Sequence, residues 1–269
     1  MIILTKTILT KFLGKKFYNF IKNIFKNFIQ FFNLKKQFYN IGKDFEYNEK
    51  ILQNIFNNFN KTNINQLLIR NNLKYNDYEI SWHYHLFACF DAIPKNILEI
   101  GTLTGEFTRY LSNVFPDSKI YSIDLNQDNE SFQNTYDRNS KEKLDKFIKV
   151  RKENLNKENI IFKELDSFDL MKEFKDIKFD IIWIDGDHFN PQVTLDIFSA
   201  YNLIKPNGFL ICDDIIKNNY KTDYVNNDSF KTLNFFEKKG LLSNNYILKR
   251  VNKENSKIKK FISISKKLN

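Results

Sequence analysis

The sequence predicts an α/β fold: an open, mostly parallel sheet with helices on both faces, a C-terminal antiparallel hairpin and an N-terminal helical extension. Three observations predict it. ILEIGTLTGEFTRYLSNVFPDSKIYSIDL, residues 97–125, reads as an apolar strand, a glycine turn, a helix and a second strand ending in the carboxylate of Asp124, which is a βαβ unit. KFDIIWIDGDH (178–188) and GFLICDDII (208–216) are continuous apolar runs that stop abruptly at acids, as strands buried on both faces do when they end in a crevice. Residues 246–251 and 258–265 then alternate like two strands joined by the polar turn NKENS.

The elements follow in order. Within residues 1–43, Leu13, Phe17, Phe20, Ile24, Phe28 and Phe32 recur at three- and four-residue steps and share one half of a helical wheel. Lys11, Lys15, Lys16, Lys22 and Lys26 take the other half. Lysines interrupt every apolar run before the roughly 20 residues that a spanning helix requires, and no signal-peptide cleavage pattern follows. Such a basic helix suits the interface of an anionic membrane, and suits equally a face packed on protein or on a second copy in a homo-oligomer. Residues 44–75 predict one or two further helices, with Ile51, Ile55, Phe56 and Phe59 on one side. YEISWHYHLFACFDAIPKN predicts an apolar helix ending near Pro94. His83 and His85, two residues apart, do not share a helix face, so they are read as core or pocket-wall groups rather than a metal clamp. Trp82 or Tyr84 is expected to line a cleft. After the opening unit come a solvated, charged helical segment over 130–150, a strand over 158–165, a helix over 191–203 and another over 225–239.

Composition bounds the function. The chain has 269 residues, room for one domain with decorations. Cys89 and Cys212 stand far apart in apolar runs, as buried reduced thiols of a cytoplasmic protein would. Net charge is +10, but residues 1–43 hold nine lysines and no acid, and residues 247–269 hold eight basic residues and one acid. The body between them carries about −6, so a basic groove for nucleic acid is disfavoured.

Chemistry concentrates at the strand ends. Gly101 and Gly105 bracket Thr102, Leu103 and Thr104, so Leu103 stands where a dinucleotide fingerprint needs its second glycine, and a dehydrogenase is disfavoured. Asp185, Asp187 and His188 follow one buried strand and Asp213 and Asp214 another, an expensive place for ionisable groups without partners. Three carboxylates converging there, Asp185, Asp213 and Asp214, would repel one another unless neutralised, and an all-oxygen set suits Mg²⁺. The alternative for Asp213 and Asp214 is a helix cap.

The E-x-G-x-x-x-G form of Glu99, Gly101 and Gly105, with Asp124 closing the next strand, resembles the first motif of the class I S-adenosylmethionine-dependent methyltransferases. It is most similar to the metal-dependent O-methyltransferases of the catechol type and their sugar-modifying relatives. The resemblance spans roughly residues 80–265 in element order. The periodicity sets off a basic amphipathic helical arm (1–43), and the resemblance implies a helical cap over the substrate pocket (44–78) and a methyltransferase domain (79–269). Glu99, Gly101, Thr102 and Gly105 would then serve the methionine part of the cofactor, Asp124 its ribose, and Asp166 or Ser167 its adenine, although Ser167 reads as readily as a helix cap. Asp185, Asp213 and Asp214 would hold Mg²⁺ beside an acceptor hydroxyl. His188, where the catechol enzymes carry a lysine, would be the general base with Asp185 or Asp187 beside it. The Asp-Asp pair, in place of Asp-Asn, points to a saccharide or other small-molecule acceptor. A nucleic-acid methyltransferase is disfavoured by the missing N/D-P-P-Y motif. A non-catalytic, membrane-tethered binding module on the same fold is the alternative from another class. The expected location is cytoplasmic, with peripheral contact at the inner face of the membrane through residues 1–43.

Overall fold

The computed structural model describes residues 41–135, 138–218, 226–251 and 258–268. The arm expected over residues 1–43 therefore lies almost wholly outside the described residues. The chain divides into two compact units between Glu46 and Tyr47. Residues 41–46, the described part of the first, are helical.

The second unit opens with a helix over 47–55 (α1) and a second, α2, over Lys61–Arg70. Asn60 caps α2, its side chain accepting from the Thr62 and Asn63 N–H groups, as the orphan donors of a first turn require. These helices are tied together by side chains: the Tyr75 hydroxyl donates to Glu49 at 2.8 Å and Lys61 pairs with Glu49 at 2.7 Å. Residues 47–78 thus belong to the same compact unit as the sheet.

The stretch expected as one long apolar helix is helical only over His83–Phe87 (α3). Pro94 withholds an N–H and biases its neighbour to extended backbone, and Asn96 is already paired opposite Lys119 as the first residue of β1 (Asn96–Ile100). There follow α4 (Glu106–Val114), β2 (Lys119–Asp124), α5 (Glu130–Asn134), α6 (Lys141–Leu155) and β3 (Ile160–Glu164). After a 3-10 turn at Ser167–Asp169 come α7 (Leu170–Glu173), β4 (Phe179–Ile184), α8 (Gln192–Leu203), β5 (Ile204–Ile215), α9 (Asp228–Lys238), β6 (Leu242–Leu248) and β7 (Phe261–Lys267).

The seven strands form one sheet in the order β3-β2-β1-β4-β5-β7-β6. The first five pair in parallel, and β7 inserts antiparallel between β5 and β6. The terminal hairpin expected from the alternating pattern is present, shifted to Leu242–Leu248 and Phe261–Lys267. Ile97, Leu98, Ile182, Trp183, Ile184 and Leu210 are all fully buried, which is why these strands read as continuous apolar runs rather than alternating ones. On the face of α7, α8 and α9, Phe174, Val193, Ile197, Leu233 and Phe236 join that core. On the other, Phe87, Phe107 and Trp183 meet at ring-centroid distances of 5.1–5.7 Å, a range in which edge-to-face contacts are favourable.

Two consequences of topology position the site. Strand order reverses at β1, whose neighbours are β2 and β4, so a crevice opens beyond the carboxyl ends of β1 and β4. Because β7 runs against both its neighbours, β6 is parallel to β5, and the residue that leaves β6, Lys249, and the one that enters β7, Lys260, fall on that same rim.

Candidate active site

The β1–α4 turn is built by its glycines and by one leucine in an uncommon conformation. Gly101 has φ +99°, and a Cβ placed on it would lie 2.4 Å from the Asp185 carbonyl oxygen, so only glycine fits. The approach is fixed from both strands: Gly101 N–H donates to Ile123 O and Asp185 N–H to Ile100 O, each at 2.9 Å. Leu103 sits at φ +48° and is 40% exposed. Gly105, at φ +75°, is the N-cap of α4, and a Cβ there would meet Leu155 at 2.9 Å.

Asp124 holds this turn. Its Oδ2 accepts from Leu103 N–H at 2.9 Å and its Oδ1 from Leu125 N–H at 2.8 Å, while the buried guanidinium of Arg151 stands 3.8 Å from Oδ2. Burial raises the Asp124 carboxyl pKa, against the opposing pull of the Leu125 N–H, Arg151 and the Leu103 N–H. Arg151 also reaches Glu164 at 3.5 Å and lies over Phe162 and Phe132 at 4.9 and 5.1 Å. It directly follows the charged 130–150 segment, and no local spacing distinguishes it there.

Glu99 points inward and is 1% exposed. The Thr108 and Ser122 hydroxyls both donate to its Oε2, the latter at 2.6 Å, and Thr102 Oγ1 lies 2.6 Å from Ser122 Oγ. Burial pushes the Glu99 carboxyl up to about 8 despite these bonds. The group therefore stiffens the turn from beneath. Thr102 is itself 3% exposed, its hydroxyl turned to Ser122. Asp166 accepts from Phe168 N–H and is the cap of the following turn, whereas Ser167 Oγ accepts from Gln192. The capping expected of Ser167 thus belongs to Asp166.

At the ends of β4 and β5 stand Asp185, His188, Asp213 and Asp214. His188 Nε2 lies 3.6 Å from Asp185 Oδ1 and 4.0 Å from Asp214 Oδ2, so the imidazole stands between two acids. Burial and the Asp213 charge push Asp185 up to about 7. For His188, burial opposes the charge, but the bond to Asp185 and the charges of Asp185, Asp214 and Asp213 outweigh it and raise the pKa. Asp213 is 1% exposed. Its Oδ2 pairs with Lys249 Nζ, which also pairs with Asp214 Oδ1 at 2.6 Å, and Lys260 Nζ pairs with Asp214 Oδ2. Asp214 takes a left-handed backbone, φ +53°, that aims its carboxylate at both lysines. Burial acts against both charges, yet these ion pairs lower the Asp214 pKa and raise that of Lys249.

This arrangement departs from the expected Mg²⁺ site. Asp213 Oδ1 is buried without a partner among the described residues, but the remaining oxygens of the Asp213–Asp214 pair face lysines and the gap to Asp185 holds an imidazole. Mg²⁺ demands near-octahedral oxygen and keeps several waters. Among the described residues, no group of three His, Cys, Asp or Glu side chains is placed to hold a metal ion. The residues present do not fit that metal. Nothing local in the sequence marked Lys249 and Lys260, which lie far from the acids and reach them only through strand order.

His83 and His85 diverge. His85 bonds Tyr75 O at 2.8 Å and stacks on Trp82 at 4.3 Å in the core. His83 accepts or donates to Ser81 Oγ at 2.9 Å and packs on Phe107 and Trp183, and burial lowers its pKa to about 3. Trp82, 1% exposed, belongs to the core and not to a cleft wall.

Residues 98–215 match a protein family described as a methyltransferase domain. That segment runs from β1 to the end of β5 and contains every cofactor, metal and catalytic residue expected from the sequence. No curated protein matches the chain. Three solved structures show a partial likeness. An O-methyltransferase from Bacillus cereus in complex with SAH is 19% identical, covering 78% of this chain and 93% of its own at a TM-score of 0.45. TomG from Streptomyces achromogenes, an O-methyltransferase involved in tomaymycin synthesis and solved with SAM, is 16% identical, covering 77% and 89% at 0.46. The Methanococcus jannaschii fibrillarin pre-rRNA processing protein is 16% identical, covering 65% and 67% at 0.43. The family match covers less than half of the chain.

Proposed function

We propose that the methyltransferase domain carried by this chain binds S-adenosylmethionine and transfers its methyl group to a hydroxyl of a small-molecule or saccharide acceptor. The observation that carries the reading is Asp124, at the end of β2, clamped to the Leu103 N–H of the β1–α4 turn at 2.9 Å. A carboxylate beside a glycine-built turn, outside the strand ends where the order reverses, is the setting for a ribose and its polar neighbour. Gly101 supports the same fit: its missing Cβ lets the turn press against the Asp185 backbone, which fixes the turn beside that carboxylate.

Gly101, Thr102 and Gly105 would offer backbone to the methionine part, Asp124 would accept from ribose hydroxyls, and Asp166 or Ser167 would meet the adenine. When bound, the cofactor supplies an electrophilic sulfonium methyl group. His188 would take the proton of the acceptor hydroxyl, and Asp185 and Asp214, which face its Nε2, would favour the imidazolium that forms. The crevice would add positioning, the larger part of the acceleration in a two-reactant displacement. Metal assistance is not part of this proposal, because lysines and an imidazole occupy the carboxylates it would need. The basic amphipathic pattern of residues 1–43 supports peripheral membrane contact as a companion reading, and liposome flotation with and without those residues decides it. Calorimetric titration with S-adenosylmethionine tests the main reading: micromolar to submillimolar binding by the intact chain is expected, and no binding rejects it.

A further inference from the structure

Asp185, Asp213 and Asp214 crowd one rim, and Asp213 is buried. Buried carboxylates need a counter-charge, from a bound ion or from the protein. Here the protein supplies it. Lys249 Nζ joins Asp213 to Asp214, and Lys260 Nζ closes on the other Asp214 oxygen.

Lys249 is not a surface lysine that happened to fold over. Its side chain is 14% exposed. Its N–H donates to Lys260 O at 3.0 Å and its carbonyl accepts from Trp82 N–H at 2.8 Å. The residue before it, Leu248, is held on both backbone groups by Asn48. The parallel course of β5 and β6 then delivers the ammonium to the acids. An ammonium is a compact point charge with three donors, suited to lie between two carboxylates.

We propose that Lys249, backed by Lys260, is the resident cation of this site, standing where a divalent metal would otherwise bind the three acids and leaving the enzyme independent of metal. This rests on the methyltransferase reading of the rim. Lys249 is a positioning residue: it fixes Asp213 and Asp214 and keeps bare negative charge away from an acceptor oxygen losing its proton. Deprotonation then falls to His188 rather than to a Lewis acid.

The test uses the full chain and Mn²⁺ as the probe, followed by electron paramagnetic resonance and by thermal unfolding. The wild type is expected to leave added Mn²⁺ free. K249M is expected to bind it at least tenfold more tightly and to regain melting temperature on its addition, and D214N in that background is expected to abolish both effects. Wild-type binding of Mn²⁺ that D213N or D214N weakens tenfold would overturn the proposal, as would K249M binding no tighter than wild type. Should K249M not fold, K260M provides the same comparison at a residue 44% exposed, and the wild-type titration decides by itself. S-adenosylmethionine titrated into the same samples with and without chelator separates the two readings: loss of cofactor binding with Mn²⁺ still free sinks the methyltransferase mechanism and leaves the lysine cation standing.

Discussion

Asn48 grips Leu248 at two points, its Nδ2 donating to the Leu248 carbonyl at 2.9 Å and its Oδ1 accepting from the Leu248 N–H at 2.7 Å. Leu248 ends β6, the edge strand of the sheet, so the amide satisfies backbone groups that an edge leaves open. It also sets the residue that precedes Lys249. Asn48→Ala should cost about 1–3 kcal/mol, since two buried backbone partners lose their bonds. Urea unfolding measures this, and an unchanged midpoint would mean that the grip is incidental.

Asp124→Ala should weaken S-adenosylmethionine binding about tenfold to a hundredfold, the scale of one or two hydrogen bonds to a charged group. Loss of the clamp on Leu103 contributes, because the turn is then free to relax. Calorimetry on the variant gives the number, and wild-type affinity in Asp124→Ala would remove the residue from the cofactor site.

His188→Gln should lower kcat by about 10²–10⁴, the range for a positioned base, with cofactor binding unchanged. A base works deprotonated, and Asp185, Asp214 and Asp213 raise the His188 pKa above its ordinary 6.5 against the effect of burial. The rate should therefore climb with pH through a value above 6.5, and His188→Gln should flatten that limb. A pH profile identical in the two proteins would move the base elsewhere.

Glu99 links stability to pH. Its folded carboxyl lies near 8 against an ordinary 4.5, burial being the cause. Between those values the native state holds a proton that the unfolded chain has released. Stability should thus fall as pH rises through this window, by on the order of 1.4 kcal/mol per pH unit, and level off above it. Glu99→Gln keeps an oxygen for Thr108 and Ser122 and should lose this slope. Denaturation series at several pH values compare the two, and parallel curves would show that Glu99 ionises freely.

The sheet was legible because its strands are buried on both faces, so IIWI and FLIC, and ILEI with its single Glu99, announce themselves as apolar runs. The turn at Gly101 and the acid at Asp124 were legible because backbone geometry restricts what can stand there. Three things were not. The length of α3 depends on where β1 begins, which strand pairing decides. Lys249 and Lys260 meet Asp213 and Asp214 only through the insertion of β7 between β5 and β6, and among so many lysines a pair that is matched across the sheet carries no local mark. Ser167 and Asp166 compete for one cap within a single residue, and the choice rests on which oxygen reaches the Phe168 N–H.

The missing side chain at Gly101 has a meaning for inheritance. With the Asp185 carbonyl only 2.4 Å from where a Cβ would begin, the β1–α4 turn and the end of β4 touch through bare backbone, with no adjustable spacer. A change in one is registered by the other. Grafting a β1–α4 turn from another protein would succeed only together with its own β4 terminus, so the two halves of this crevice must drift as a single heritable block.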